Sequence, residues 1–185
     1  MVSRGIEITA TSAIRPLAGL LADHDAAATE FLELAASVSP DDWHVPRAPG
    51  KWTPAQETKH LILGYEAFVR DLRGEGRLRV RGRWWQRRLW RWVVLTRIFA
   101  RGEMVRTAPA PREVRPAERP GDKEALLADF RRAVSTFRTT IVETQRTSPR
   151  RCVTHPYFDA LTLSQLLRLC AIHTRHHAGF LQRQA

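Results

Sequence analysis

Helical periodicity is the feature that most restricts how this chain can fold. Apolar residues recur at intervals of three and four positions in four stretches of three or more turns, and no segment alternates cleanly with a period of two. The pattern predicts helices over about 16–36, 54–73, 123–147 and 163–181. A chain of 185 residues is long enough to bury one core without disulfide or metal staples. We therefore predict a single all-α domain over residues 1–185, built as a four-helix bundle.

Three of the helix starts are marked by capping residues. Thr53, followed by Pro54 and then by Gln56, has the sequence of a capping box, in which side-chain and backbone groups satisfy each other's hydrogen bonds. Asp122 and Thr162 stand at the equivalent position before the third and fourth predicted helices. These residues set where each helix begins, and therefore how far along the bundle each later residue lies.

The connections between the predicted helices are unequal in length. About 15 residues join the first helix to the second and the third to the fourth, whereas nearly 50 residues separate the second from the third. A connection of that length can cross the whole bundle, so the second and third helices can run parallel. Within it, residues 84–101 predict an additional helix, which a proline-rich stretch follows.

Positive charge is concentrated in the same connection. The chain carries a net charge of +11, and residues 70–101 contribute +9 of it through eleven arginines opposed by Asp71 and Glu75. A strongly basic chain makes nucleic acid an obvious candidate partner. Because the basic residues belong to one segment and the rest of the chain is nearly neutral, we do not expect nucleic acid to be the partner.

The segment 83–101 mixes arginine with tryptophan, and three arrangements suit that mixture. Such a helix could lie on a membrane surface, or it could contact nucleic acid through arginine–phosphate contacts and tryptophan–base stacking. It could also dock on the bundle and leave its arginines in solvent, which we predict. The predicted docking face consists of Trp85, Leu89, Trp92 and Phe99.

Three apolar residues of the segment fall outside this face, namely Trp84, Trp90 and Val94. A second subunit would cover them, so a homodimer is a further expectation.

The cellular compartment is predicted from three features that the sequence lacks. No uncharged apolar run approaches the ~18 residues that a membrane-spanning helix needs. The N-terminal residues have no apolar stretch of the kind found in secretory signals. Cys152 and Cys170 are too few for a disulfide framework or a cysteine-based zinc site. We therefore expect a cytoplasmic protein.

Two histidines continue the apolar face of the fourth predicted helix. His173 and His177 lie one helical turn apart, a spacing that lets both imidazoles reach one ion. His60 lies on the flank of the buried face of the second helix, next to the small residues Gly64 and Ala67. If these two helices are antiparallel, the three histidines lie at matching heights. They then form either a three-histidine metal site or a group of core histidines that are satisfied by hydrogen bonds.

Two other histidines are expected outside this group. His24 faces the core from the first helix but lies roughly 10 Å below His60 along the bundle, so we expect a structural role for it. His155 precedes the fourth helix, and we place it at the far end from the site.

Two motifs resemble those of the DinB/YfiT-like superfamily. The sequence WTPAQETKHL at 52–61 is similar to the start of that family's second helix, and LSQL at 163–166 with HTRHHAGF at 173–180 is similar to its last. The resemblance covers most of the chain apart from the Arg/Trp segment, and it implies an up-down-down-up four-helix bundle. It also implies a divalent metal ion, Zn²⁺ or Ni²⁺, bound by one histidine of the second helix and two of the last. The corresponding residues are His60, His173 and His177.

The resemblance favours a metal-dependent enzyme without specifying its reaction. Members of the family include thiol-dependent S-transferases and isomerases that use low-molecular-weight thiols, and others are described as metal-dependent hydrolases. Three histidine ligands leave a fourth coordination position for water or a thiol. Glu57, one turn before His60, is a candidate general base or hydrogen-bond partner of a ligand; alternatively it interacts with the helix N-terminus. We expect a small-molecule substrate, and the alternative is a metal- or ligand-binding module without turnover.

Overall fold

The computed structural model describes residues 17–105 and 109–182, and it is mostly helical with one small sheet. The long helices begin and end within one or two residues of the predicted ones; the residue predicted to start the first helix, Pro16, lies outside the described residues. A π-helical turn, Arg91–Leu95, joins the two short helices within the segment 84–101. The elements are α1 (Ala18–Ser37), α2 (Pro54–Arg73), α3 (Trp84–Trp90), α4 (Thr96–Arg101), α5 (Lys123–Thr147), β1 (Cys152–His155), β2 (Asp159–Thr162) and α6 (Leu163–Leu181).

The four long helices bury their apolar faces in one common core. The most extensive contacts are those of α1 with α6 and of α2 with α5. Aromatic rings connect the two pairs, since Phe31 of α1 lies 4.9 Å from Phe130 of α5 and His24 of α1 lies 5.5 Å from Tyr65 of α2, measured between ring centroids. Each of the two buried phenylalanine rings stabilises the fold by roughly 1.5–3 kcal/mol relative to an exposed one. None of the helices in the described ranges has both the length and the apolar composition to cross a membrane.

The capping residues predicted from the sequence stand where the helices begin. The Thr53 hydroxyl accepts the Gln56 N–H at 3.2 Å, and the Gln56 side-chain oxygen accepts the Thr53 N–H at 3.0 Å. Thr162 and Gln165 form the same pair of bonds at the start of α6, at 3.3 and 3.1 Å. Asp122 is the N-cap residue of α5, but its side chain makes no capping hydrogen bond.

The structure contains a β-hairpin that the sequence pattern does not predict. Strands β1 and β2 pair antiparallel before α6, with Val153 opposite Leu161 and both side chains fully buried. Each strand has only four residues, which is too short for alternation to stand out in the sequence. The carboxylate of Asp71, near the end of α2, accepts the Thr154 N–H at 2.7 Å and so fixes the hairpin to the bundle.

The predicted extra helix is present, but the predicted docking face is wrong. Trp85, Leu89 and Trp92 are 47, 54 and 75 % exposed. The buried side chains of this segment are Leu95 and Ile98. Trp90, Val94 and Phe99 pack against the core as partly buried neighbours.

Hydrogen bonds to the missed hairpin explain which side of the helix faces inward. The Arg91 guanidinium donates to the carbonyl oxygens of Phe158 and Ala160, and to the side-chain oxygen of Gln165 at 3.2 Å. These bonds hold the side of the helix that carries Arg91 against the protein. The opposite side, with three of the four residues predicted to dock, is left in solvent.

The α6 capping box leads to a stability prediction. Thr162→Ala should lower the free energy of unfolding by about 1 kcal/mol, because the Gln165 N–H loses its acceptor. Urea denaturation measures this change. Thr139→Ala, on the exposed face of α5, is the matched control and should change stability by less than about 0.5 kcal/mol. Equal losses in the two variants would contradict the capping role.

Candidate metal centre

The three predicted histidines converge where α2 meets α6. His60 comes from α2, and His173 and His177 come from successive turns of α6. One ring nitrogen of each lies within 4.8 Å of the corresponding nitrogens of the other two. The Nε2 atoms of His173 and His177 are 3.0 Å apart. His60 and His177 are buried, and His173 is partly buried. We refer to these residues as the histidine triad.

Two members of the triad have a hydrogen-bond partner on the ring nitrogen that faces away from the other histidines. The Nδ1–H of His60 donates to the carbonyl oxygen of Val114 at 2.8 Å. Nδ1 of His177 lies 2.5 Å from the carboxylate oxygen of Glu57. Metal-binding histidines in proteins almost always have such a second partner, which fixes the ring orientation and the tautomer. In both rings Nε2 is thereby the nitrogen that remains available to the other histidines or to an ion.

Burial keeps the triad uncharged at neutral pH. Removal from water lowers the pKa of His60 below its ordinary value, and the hydrogen bond to Val114 only partly opposes this. Burial and the neighbouring imidazoles hold the pKa of His173 and of His177 well below the ordinary range. A neutral imidazole has a lone pair to donate, and an imidazolium does not. The donor set therefore fits a divalent ion.

Glu57 contacts the side of the His177 ring that faces away from His60 and His173. It belongs to the first turn of α2 and is buried, and burial raises the pKa of its carboxyl group to about 7. Its contact is with the outer nitrogen of His177. This position suits a group that orients a ligand, and a first-turn carboxylate also interacts favourably with the N-terminus of its helix.

A largely apolar cavity of about 280 Å³ adjoins the triad. The indole of Trp52 closes one side, with its ring centroid 4.8 Å from that of His60. The inner face of the segment 84–101 also lines the cavity, through Trp90, Val94 and Ile98, a contact that the sequence does not predict. The aromatic lining residues are Trp52, Tyr65, Phe68, Trp90, Tyr157 and Phe158.

Residues 23–181 match the family model described as the DinB superfamily. The chain belongs to the DinB superfamily. No curated protein and no solved structure matches it significantly. The matched range contains the whole triad of this DinB protein, together with Glu57 and the segment 84–101. The family suspected from the two sequence motifs is therefore confirmed.

His155 of this DinB protein lies closer to the site than the sequence suggested. It lines the same cavity as the triad, whereas we had placed it at the far end from the site. Its ring stacks on Phe158 with 4.6 Å between centroids, and its Nδ1 accepts the Tyr157 N–H at 3.3 Å. The error arose because the hairpin, which folds His155 back against α2 and α6, was not recognised.

His24 is separate from the triad. It is fully buried, and its Nε2 shares a hydrogen bond of 3.0 Å with the Tyr65 hydroxyl. That hydroxyl in turn shares one of 2.8 Å with the Thr174 hydroxyl. This chain of bonds connects α1, α2 and α6 in the core, in keeping with the structural role expected for His24.

The environment of His155 predicts acid sensitivity. Burial lowers the pKa of His155 to about 3, whereas an unfolded histidine titrates near 6.5. The folded state therefore binds fewer protons between these values, and the stability that neutral His155 provides above about pH 6.5 is lost as the pH falls toward 3. His155→Phe should flatten the decline in unfolding free energy between about pH 6 and 4, by at most about 1.4 kcal/mol per pH unit.

The measurement is urea denaturation of both proteins across that pH range. Above about pH 7 the two stability profiles should run parallel, because histidine does not titrate there in either state. Profiles that stay parallel down to pH 4 would show that His155 is not responsible for the acid sensitivity.

Proposed function

We propose that this DinB protein is a metal-dependent enzyme that binds a divalent ion, Zn²⁺ or Ni²⁺, at the histidine triad. The proposal rests on one observation above all: three neutral imidazoles bring ring nitrogens to within 4.8 Å of one another beside a cavity. The outer-nitrogen contacts of His60 and His177 support it, since buried histidines that only fill a core have no need to converge.

The number of ligands favours catalysis over a purely structural ion. Structural zinc sites normally use four protein ligands, whereas catalytic sites use three and leave one position open. The converging donor group among the described residues has three members. When bound, a divalent ion would lower the pKa of a coordinated water or thiol to a range where it is a nucleophile at neutral pH. Hydrolysis and thiol-dependent S-transfer are the two reaction types that this chemistry supports.

The protein's own residues position the reactants. Val114 and Glu57 hold the rings of His60 and His177, so that their Nε2 atoms point toward His173. The cavity walls exclude water from the apolar part of a bound molecule. A volume of about 280 Å³ suits a small molecule, and the aromatic lining suits one with an apolar or aromatic portion. In an S-transferase, a low-molecular-weight thiol would be the co-substrate.

We also propose the up-down-down-up order of the four long helices. Near the start of α2, Glu57 contacts His177 at the end of α6, so these two helices run in opposite directions. Gln56 bonds to Ala117, before α5, and Asp71 bonds to Arg151, after α5, which supports a parallel α2 and α5.

Replacing each triad histidine tests the metal site. Purified protein should carry about one divalent ion per chain, as expected for a single three-ligand site. His60→Ala, His173→Ala and His177→Ala should each reduce occupancy strongly when measured by elemental analysis. His155→Ala is the matched control, because it lies in the same cavity outside the triad and should leave occupancy unchanged. Undiminished metal content in all three triad variants would refute the assignment.

Turnover separates an enzyme from a binding module. Metal-loaded and chelated protein should be compared in hydrolase and thiol-transfer screens with small aromatic substrates. Activity that needs both the metal and His177 supports an enzyme. A stoichiometric metal with no turnover of either type would indicate a metal- or ligand-binding module instead.

The contact between Glu57 and His177 gives a second prediction for the site. Glu57→Gln should weaken Zn²⁺ affinity by about 10–100-fold, because the ring of His177 loses its anionic partner. Competition titration with a chelating dye measures the affinity. Glu66→Gln removes an exposed carboxylate from the same helix and should leave the affinity unchanged. An equal effect of both substitutions would point to general electrostatics rather than to this contact.

A further inference from the structure

The outward side of the segment 84–101 is an apolar surface with arginines among and around its side chains. Large side chains recur along it at intervals of four residues, so they form adjacent rows on one side of the helix. Trp84 is 66 % exposed and Trp92 is 75 % exposed. We call this surface the Trp/Arg face; its apolar members are Trp84, Trp85, Leu89, Trp92 and Val93, and Arg88 lies in the same row as Trp84 and Trp92, between them.

This exposure is unusual within the molecule. Among the described residues, the other exposed large hydrophobic side chains are only Val45 and Val80. Docking of the helix is already achieved by the opposite side, through the buried Leu95 and Ile98. Contiguous exposed apolar patches generally mark interaction sites. The Trp/Arg face therefore requires an explanation other than packing on the bundle.

Positive charge is arranged around the exposed tryptophans. Trp84 and Trp92 border a surface cleft of about 400 Å³ that three arginines line. The acidic residue in its lining is Asp159, whose carboxylate lies 3.7 Å from Nε of Arg87. The surrounding segment, residues 70–101, has a net charge of +9. The lining arginines are Arg87, Arg88 and Arg91.

We propose that the Trp/Arg face binds the surface of an anionic lipid bilayer. Tryptophan, leucine and valine side chains would enter the boundary between headgroups and acyl chains, where indole rings are favoured. The exposed Arg88 beside them would contact a lipid phosphate, and the basic segment would be attracted by the negative surface potential. This binding is independent of the metal site and needs no membrane-spanning helix.

The composition of the face favours a lipid surface over single-stranded nucleic acid and over a second copy of the chain. Single-stranded nucleic acid binds by stacking bases on aromatic rings, and Leu89 and Val93, which are two of the three residues in the second row of the face, cannot stack. A second copy of the chain related by a two-fold axis would place this basic surface against its own equivalent, with Arg88 near the centre. An anionic bilayer complements both the apolar residues and the charge.

The experiment measures binding of the full-length protein to vesicles. Vesicles of three parts phosphatidylcholine to one part phosphatidylglycerol are compared with pure phosphatidylcholine by cosedimentation. We expect a preference of about tenfold or more for the anionic vesicles, which weakens as salt is added. Tryptophan fluorescence should also be quenched by brominated lipid in the anionic vesicles.

Substitutions locate the binding surface. The triple variant Trp84→Ser, Leu89→Ser, Trp92→Ser changes only exposed positions, so it should fold, and it should lose about tenfold or more in vesicle affinity. Val45→Ser is its control at an exposed site elsewhere. Arg88→Gln should weaken binding severalfold, whereas Arg131→Gln, on the exposed face of α5, makes the same charge change and should not.

Three results would overturn the proposal. The first is absent binding, or equal binding to neutral and anionic vesicles. The second is binding of oligo(dT) that is tighter than binding to vesicles and is lost in the triple variant, which would identify a nucleic-acid surface. The third is a monomer–dimer equilibrium in sedimentation velocity that the triple variant abolishes, which would identify a homodimer interface. Metal content should be unchanged in every variant of this face, so failure here leaves the metal-site proposal intact.

Discussion

Two capping boxes determine where the functional side chains of this protein lie. The hydrogen bonds between Thr53 and Gln56 fix the first residue of α2, and those between Thr162 and Gln165 fix the first residue of α6. Once a helix start is fixed, every later side chain has a defined height and direction. His60 lies about two turns from one start, and His177 lies near the end of the other helix. The capping bonds therefore contribute to the convergence of the triad by fixing where along each helix its histidines fall.

Burial shifts both Glu57 and the three histidines of the site toward their uncharged forms. It raises the pKa of Glu57 and lowers the pKa of all three histidines, so it favours the uncharged form of each group. A cavity wall with unprotonated imidazoles and one carboxyl group behind them carries little charge of its own. A divalent cation could bind there without first having to deprotonate an imidazolium, and its positive charge would favour the ionised form of Glu57.

The sequence predicted those parts of the structure that depend on neighbours along the chain. Periodicity and caps located the long helices, and spacing along α6 together with the height of His60 brought the triad together. The missed parts depend on contacts between distant segments. The hairpin relies on one buried pair, Val153 and Leu161, and on a bond to Asp71, which no local pattern reveals.

One missed element caused two further errors. The hairpin carbonyls accept hydrogen bonds from Arg91, so a charged side chain lies on the inward side of a helix whose tryptophans face solvent. Apolar periodicity alone predicts the opposite arrangement, with the tryptophans packed inward and the arginines in solvent. The hairpin also brings His155 into the cavity, where a linear reading of the chain had not placed it.

The segment 84–101 is held less firmly than the long helices that also line the cavity. Its fully buried side chains are Leu95 and Ile98, whereas each long helix contributes many more. Regions with few buried apolar contacts open at a lower free energy than the rest of a fold. The inner face of this helix borders the cavity through Trp90 and Val94, and its outer face carries Trp84 and Trp92. Because the same helical segment carries both faces, a displacement of its outer face would also displace a wall of the cavity.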